Sequence, residues 1–169
     1  ALKMKTLIEV FVESARSAAS VGLVIGASMI LTYVVIQENV PQMISALFAG
    51  AEISPLAFML LVNLLVLLLG CVLDATVIIL VIVPLFIPTC TQLGIDLVHF
   101  GVVIVVNAMI GLITPPYGIL LFVISAVTQI PLKEIIGEIW IFLAVLLFAL
   151  LAMIMFPEIV LFLPRALGY

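Results

Sequence analysis

Two short segments of this sequence place glycine, proline and hydroxyl residues inside long apolar stretches. Residues 70–76 read GCVLDAT and residues 111–118 read GLITPPYG. Proline removes a backbone donor and pushes the preceding residue out of helical geometry, so the second segment must interrupt a helix. Unpaired carbonyl groups at a helix break can coordinate a cation, and the next half-helix can face an anion. Two such breaks favour the ion and substrate site of a secondary transporter; packing kinks satisfied by neighbouring helices are the alternative.

Polar side chains in or beside the two breaks are the candidates for substrate binding or gating. Asp74 is the only acidic residue deep in an apolar stretch, and a buried carboxylate there is costly unless it is paired or neutralised. Asp74 is predicted to face a hydrated cavity near a cation, or to cap the following helix, and both roles can coexist. Thr76 belongs to the same break. Asn107 and Thr114 are weaker candidates, because such residues in membrane helices often bond only to a neighbouring helix.

The composition is that of a membrane protein. Hydrophobic residues make up 67% of the 169 residues and charged residues 8%, against about 45–50% and about 25% in soluble domains. The net charge is only -4, and no basic stripe is present to hold phosphates, so nucleic acid is excluded as a partner. The lipid bilayer is the expected surroundings of the chain.

The remaining reactive side chains do not predict a catalytic site. Cys71 and Cys90 have no ligands at metal-binding spacing and are expected to be packed thiols. His99, the only histidine, is expected to be a surface or interface residue rather than a metal or proton site. An intramembrane aspartyl protease would need a second carboxylate beside Asp74, and no other acidic residue lies at membrane depth. The sequence therefore predicts no enzyme.

The first third of the chain predicts an interfacial helix followed by a span. Residues 3–18 carry an amphipathic pattern, which indicates a helix lying in the membrane interface within residues 1–19; a solvent-exposed connector is the alternative. Residues 20–37 hold no charge and are long enough to cross the membrane. A short connector helix, begun by Pro41 and ended by Gly50, completes this part up to residue 53.

The breaks then define a hairpin and a discontinuous helix. Residues 55–89 are about 35 mostly apolar residues, too few for two spans of about 20 residues plus a loop and too many for one. They predict a re-entrant hairpin with two arms of about 14 residues and a tip near mid-membrane. Residues 98–130 predict a discontinuous helix, and residues 138–156 a final span. The predicted fold class is thus an all-α integral membrane protein.

The distribution of basic residues orients these elements. With a hairpin that enters and leaves on one side, four basic residues share the other side of the membrane, namely Lys3, Lys5, Arg16 and Lys133. Arg165 alone lies opposite. The positive-inside rule makes the first side cytoplasmic, so the hairpin is expected to open toward the periplasm or the cell exterior.

The order of the motifs resembles a known transporter family. Residues 70–76 with Pro84 and Pro88, then residues 93–101 and 107–118, look like the second half of the large membrane subunit of TRAP transporters. These are the tripartite ATP-independent periplasmic transporters of bacteria and archaea. The resemblance implies the second of two inverted repeats, and the chain, which opens at Ala1, is expected to be a piece of a longer protein.

The resemblance also implies an architecture for the repeat. Residues 1–19 would form the interfacial arm helix, and residues 20–53 a spanning helix and connector of the scaffold. Residues 54–130 would form a transport domain made of the re-entrant hairpin and the discontinuous helix, and residues 131–169 the final spanning helix and tail.

The function implied by the resemblance is sodium-driven uptake of an organic acid anion, with sialic acid or a dicarboxylate as candidates, by elevator-type alternating access. The implied partners are a small membrane subunit, the remaining N-terminal part of the large subunit, and a periplasmic substrate-binding protein. The implied location is the bacterial inner membrane, with several membrane passes and no organic cofactor. A passive channel, which also uses carbonyl-lined breaks, and a non-transporting membrane scaffold are the alternatives.

Site residues follow from the resemblance position by position. A sodium ion would be held mainly by backbone oxygens of Gly70, Gly111 and Tyr117, with Thr114 assisting. Tyr117 departs from the Val or Met often found at its position, a change that a carbonyl ligand survives. Asp74 matches an acidic residue of the family's hairpin and would lie close to the ion and the substrate.

Overall fold

The computed structural model describes residues 4–50 and 53–168, and all regular structure in these ranges is helical. Lys3 and residues 51–52 of the predicted connector lie outside the described residues. A π-helical segment, Ile78–Ile82, joins two of the helices into one continuous stretch, Ala75–Gln92. The helices are α1 (Met4–Gln37), α2 (Val40–Gly50), α3 (Pro55–Gly70), α4 (Ala75–Val77), α5 (Val83–Gln92), α6 (Leu97–Gly111), α7 (Ile119–Thr128), α8 (Leu132–Met155) and α9 (Pro157–Ala166).

Three helical stretches of the described chain are long and apolar enough to cross a membrane: Leu7–Gln37, Ala75–Gln92 and Leu132–Met155. Their outer surfaces are apolar as well, as at Leu23 and Phe148, whose side chains are 76% and 74% exposed. Apolar surface on this scale is stable only against lipid or other protein. The described chain therefore confirms the predicted all-α class and is compatible with the predicted integral membrane protein.

The predicted interfacial helix and first span form one continuous helix. α1 has 34 residues and is about 51 Å long at 1.5 Å per residue, well beyond the roughly 30 Å of the hydrocarbon core. No proline occurs before Pro41, and the first described residue with a positive φ is Asn39, at 54°. Since nothing breaks the helix near residue 19, the predicted division there is not visible in the backbone.

The predicted hairpin is present as two antiparallel helical arms. At the base, the rings of Phe58 and Phe86 meet edge to face with centroids 6.1 Å apart, and near the tip Ile78 lies beside Gly70. The arms have 16 and 18 residues, longer than predicted. Because Ala75–Gln92 alone is long enough to cross a membrane, a tip that stops inside the bilayer stays a prediction.

The discontinuous helix breaks where the sequence predicts. α6 ends at Gly111 and α7 begins at Ile119. Gly118, just before α7, has a φ of 48°, a conformation that only glycine adopts readily. The break is closed by a bond from the Leu120 N–H to the Leu112 carbonyl at 3.2 Å. The final span begins at Leu132, earlier than predicted.

The core of the described chain lies between α3 and α6. These two helices pack along each other, and their facing aliphatic side chains, including Val62, Val66 and Val103, are fully buried. Leu143 and Leu150 of α8 close the core from one side. The hairpin and the discontinuous helix are thus built around a common core.

His99 ties the start of α6 to the end of α8. Its side chain is only 4% exposed, and Nε2 donates to the Met153 carbonyl at 2.8 Å. In a continuous helix this carbonyl would accept the N–H of residue 157, but Pro157 has none. The expectation of a surface histidine is therefore wrong, because the end of α8 requires a donor from outside the helix, and His99 lies at the interface between α6 and α8.

We expect His99→Ala to destabilise the intact membrane complex, because it leaves the Met153 carbonyl buried without a donor, at a cost of about 1–3 kcal/mol. In a Pro157→Ala background the backbone can supply that donor, so the same substitution should cost less. Thermal unfolding of the purified complex measures both losses. An equal fall in Tm in the two backgrounds would contradict this account.

Candidate functional site

Gly70 and Gly111, the last residues of α3 and α6, are in direct backbone contact. A methyl group built on Gly111 would lie 2.7 Å from the Gly70 Cα and 2.8 Å from its carbonyl carbon. One built on Gly70 would lie 3.1 Å from the Gly111 Cα. The first two distances leave no room for a side chain at Gly111, and the third makes the contact at Gly70 tight. The close approach of the two helix ends therefore requires glycine at position 111 and is favoured by glycine at position 70.

This contact brings two helix C-termini to one point. The C-terminal end of a helix carries a partial negative charge and unpaired carbonyls. The Gly111 carbonyl accepts the Thr114 N–H at 3.0 Å, and no N–H of the described residues donates to the Gly70 carbonyl. A carbonyl oxygen has two lone pairs, so both oxygens can still coordinate a cation. The arrangement fits the predicted backbone site.

Thr114 lies in the turn that follows Gly111 and is half-buried. Its hydroxyl donates to the Ile110 carbonyl at 2.7 Å, so its oxygen retains lone pairs that can accept or coordinate. The same hydroxyl satisfies one of the carbonyls released at the end of α6. Thr114 therefore holds the shape of the break whether or not it contacts an ion.

Asp74 and Thr76 form the cap at the start of the second hairpin arm. The Asp74 carboxylate accepts the Thr76 N–H at 2.7 Å, and both side chains are exposed. The predicted cap is confirmed. The role beside a cation stays a prediction, since none of the described contacts joins Asp74 to the glycine pair.

Tyr117 and Asn107 occupy opposite environments. Tyr117 follows the cis peptide bond between Pro115 and Pro116, and its side chain is 59% exposed. Asn107 is fully buried one turn before Gly111 and donates to Asn63 on α3. Asn63 was not predicted as a site residue. The polar signal was present, because an Asn in the apolar run of α3 is as unusual as the one in α6.

No group of three or more His, Cys, Asp or Glu side chains in the described part of the chain could hold a metal ion. Transition metals bind mainly through such side chains, whereas rings of backbone carbonyls suit alkali ions. The carbonyl oxygens of Gly70 and Gly111 are of the kind that alkali cations can take as ligands.

A family model matches residues 1–159, and its description is "Tripartite ATP-independent periplasmic transporter, DctM component". The match covers the glycine pair, both breaks and the final span. The chain is also similar to curated proteins over nearly its whole length. It is 36% identical over 169 residues to the sialic acid TRAP transporter large permease protein SiaM of Vibrio cholerae, covering 99% of this chain and 40% of that protein.

Two further relatives carry different substrate names. The chain is 36% identical over 167 residues to the C4-dicarboxylate TRAP transporter large permease protein DctM of Pseudomonas aeruginosa, covering 99% of this chain and 39% of that protein. It is 31% identical over 166 residues to the sialic acid TRAP transporter permease protein SiaT of Haemophilus influenzae, with 98% and 27% covered. The chain thus spans at most 40% of the length of these three relatives.

We expect Gly111→Ala to destabilise the intact complex by about 1–3 kcal/mol, the usual cost of overpacking, because the new methyl group would overlap the Gly70 backbone. Gly101→Ala is the matched control in the same helix, where a methyl group meets nothing within 4 Å and alanine favours the helix. Thermal unfolding compares the two. If Gly111→Ala melts no lower than Gly101→Ala, the glycine contact is not tight.

Proposed function

The chain belongs to the DctM component family of tripartite ATP-independent periplasmic (TRAP) transporters, and we propose that it forms part of a membrane permease that takes up an organic acid anion together with sodium. The observation that carries the sodium proposal is the contact between Gly70 and Gly111. It joins two helix C-termini in apolar surroundings, where their partial negative charges favour a cation. Backbone oxygens of Gly70, Gly111 and Tyr117 would hold the ion, with Thr114 assisting.

The substrate class is proposed from relatives and from the helix ends. Relatives are named for sialic acid and for C4-dicarboxylates, both of which carry carboxylate groups. An anion is stabilised by a helix N-terminus with free N–H groups. α7 begins without a side-chain cap. Its Leu120 and Leu121 N–H groups donate to the Leu112 and Gly118 carbonyls, so the helix dipole and the first N–H of α7 are what would act on an anion, whereas Asp74 already occupies the N-terminus of α4. The start of α7, after Gly118, is therefore the better position for a substrate carboxylate, with Asp74, Thr76 and Asn107 as further substrate or gating candidates.

The transport mechanism we propose is elevator-type alternating access. In this proposal residues 54–130 move as the transport domain, with α3 and α6 on one buried core. Leu143 and Leu150 of α8 belong to the same core, so α8 would move with this domain or slide against it. The remaining part of the large subunit, a small membrane subunit and a periplasmic substrate-binding protein would complete the machine in the bacterial inner membrane. This chain covers at most 40% of the length of these relatives, which supports the proposal that further membrane segments take part.

A passive channel and a non-transporting scaffold are the competing functions, and accumulation against a gradient separates them from a transporter. We expect the complete complex, reconstituted in liposomes with its binding protein, to accumulate the anion when an inward sodium gradient is applied. Replacement of sodium by potassium should abolish accumulation, because uptake is then no longer driven by the gradient of the proposed coupling ion. Equal uptake in the two salts would exclude sodium coupling.

We expect Asp74→Asn and Thr114→Ala each to lower sodium-driven uptake about two- to tenfold, the effect of one lost polar interaction, while membrane insertion stays intact. Thr128→Ala is a matched control. The Thr128 hydroxyl also donates to the carbonyl four residues earlier at 2.7 Å, but it lies at the far end of α7. If Asp74→Asn and Thr114→Ala both show the same uptake as the control, these two residues have only a structural role.

Tyr117→Met should reduce uptake less than Gly111→Ala, since the backbone supplies the proposed ligand.

A further inference from the structure

The apolar interface between α3 and α6 contains one pair of hydrogen-bonded polar side chains, Asn63 and Asn107, which we call the tie. Asn107 Nδ2 donates to the Asn63 carbonyl at 2.6 Å and to Asn63 Oδ1 at 2.9 Å. Both side chains are nearly or fully buried, with 4% and 0% exposed. We infer that Asn63 and Asn107 are positioning residues that set the register of α3 against α6 and so hold Gly70 against Gly111. This inference rests on the proposed function for its link to an ion.

The orientation of both amides is determined by their partners. Asn63 Nδ2 donates to the Met59 carbonyl at 2.8 Å, and a carbonyl can only accept. Asn63 must therefore turn its Oδ1 toward α6. Asn107 faces two acceptors, Asn63 O and Asn63 Oδ1, so it must present its NH₂ group to both. Neither amide can be reversed without placing acceptor against acceptor, and the tie has only one arrangement.

The tie and the glycine contact lie on the same faces of the two helices. Asn63 precedes Gly70 by seven residues and Asn107 precedes Gly111 by four, about two turns and one turn of helix. The residues between them are small or aliphatic, such as Val66 and Ala108, both fully buried. Aliphatic surfaces tolerate repacking in more than one alignment, whereas an amide tie does not. A slip of one turn, about 5.4 Å, would separate Gly70 from Gly111.

The tie is not optimised for stability. Asn107 Oδ1 is buried and has no hydrogen-bond partner among the described residues, and an unsatisfied buried acceptor is destabilising. A pair of leucines would fill such an interface without an orphaned oxygen. Buried polar groups retained at some cost in stability are best known for specifying register. The orphaned oxygen therefore favours alignment over stability as the role of this pair.

The test separates register from stability and from sodium binding. Spin labels at Leu68 of α3 and Met109 of α6, both exposed, report the distance between the helices in the intact complex lacking other reactive cysteines. We expect a narrow distance distribution in the parent protein. In Asn63→Leu/Asn107→Leu the distribution should broaden or shift by about one helical turn, with a Tm equal to or above that of the parent. Val66→Ala is the matched control, expected to lower Tm by opening a cavity with the distribution unchanged.

Sodium binding is read from the rise in Tm as sodium is titrated at constant ionic strength. The sodium midpoint is the sodium concentration that gives half of the maximal rise in Tm. It should increase about tenfold or more in the double leucine variant and stay near the parent value in Val66→Ala. An unchanged distance distribution in the double variant overturns the register role. A changed distribution with an unchanged sodium midpoint overturns the link to the ion. A parent complex that does not respond to sodium refutes the proposed function, while the distance measurement still decides the register.

Discussion

The architecture depends on the close approach of two backbones at Gly70 and Gly111. A methyl group on Gly111 would lie 2.7 Å from the Gly70 Cα, and one on Gly70 would lie 3.1 Å from the Gly111 Cα. α3 and α6 can therefore converge this closely only where Gly111 lacks a side chain. The convergence aligns two helix ends whose carbonyls would otherwise be unpaired in apolar surroundings. The proposed cation site follows from this geometry, since charge at helix ends acts only over the last turn.

The rest of the described chain shows how backbone groups released by proline and glycine are satisfied. The Thr114 hydroxyl donates a hydrogen bond to the Ile110 carbonyl at the end of α6. The Asp74 carboxylate accepts one from the Thr76 N–H at the start of α4. His99 performs the same task for Met153 at the end of α8. The Gly70 carbonyl, for which no donor is described, differs from these groups. A group left free where others are satisfied is suited to a ligand.

The proposed coupling ion and the proposed substrate would bind to different groups of the protein. The proposed cation site uses backbone oxygens, so its chemistry is insensitive to most side-chain changes, including the exposed Tyr117. Relatives with 36% identity carry sialic acid in one name and C4-dicarboxylate in another. A common backbone framework with variable surrounding side chains is compatible with both, because a carboxylate can be held by helix N–H groups in either case.

The sequence alone determined the apolar, helical class and the positions of both breaks, because apolar composition, proline and glycine act locally; it left a cap at Asp74 as one of two alternatives, and the structure shows the cap. The resemblance to TRAP permeases added the prediction that Gly70 and Gly111 share a site, and the structure shows the two residues in contact. The residues themselves did not show that α1 is continuous, that His99 is buried, or that Asn63 supports Asn107. The bonds of His99 and Asn107 join residues 54 and 44 positions apart. Such pairs are decided by which helix faces meet and in which register, and that is a property of tertiary packing.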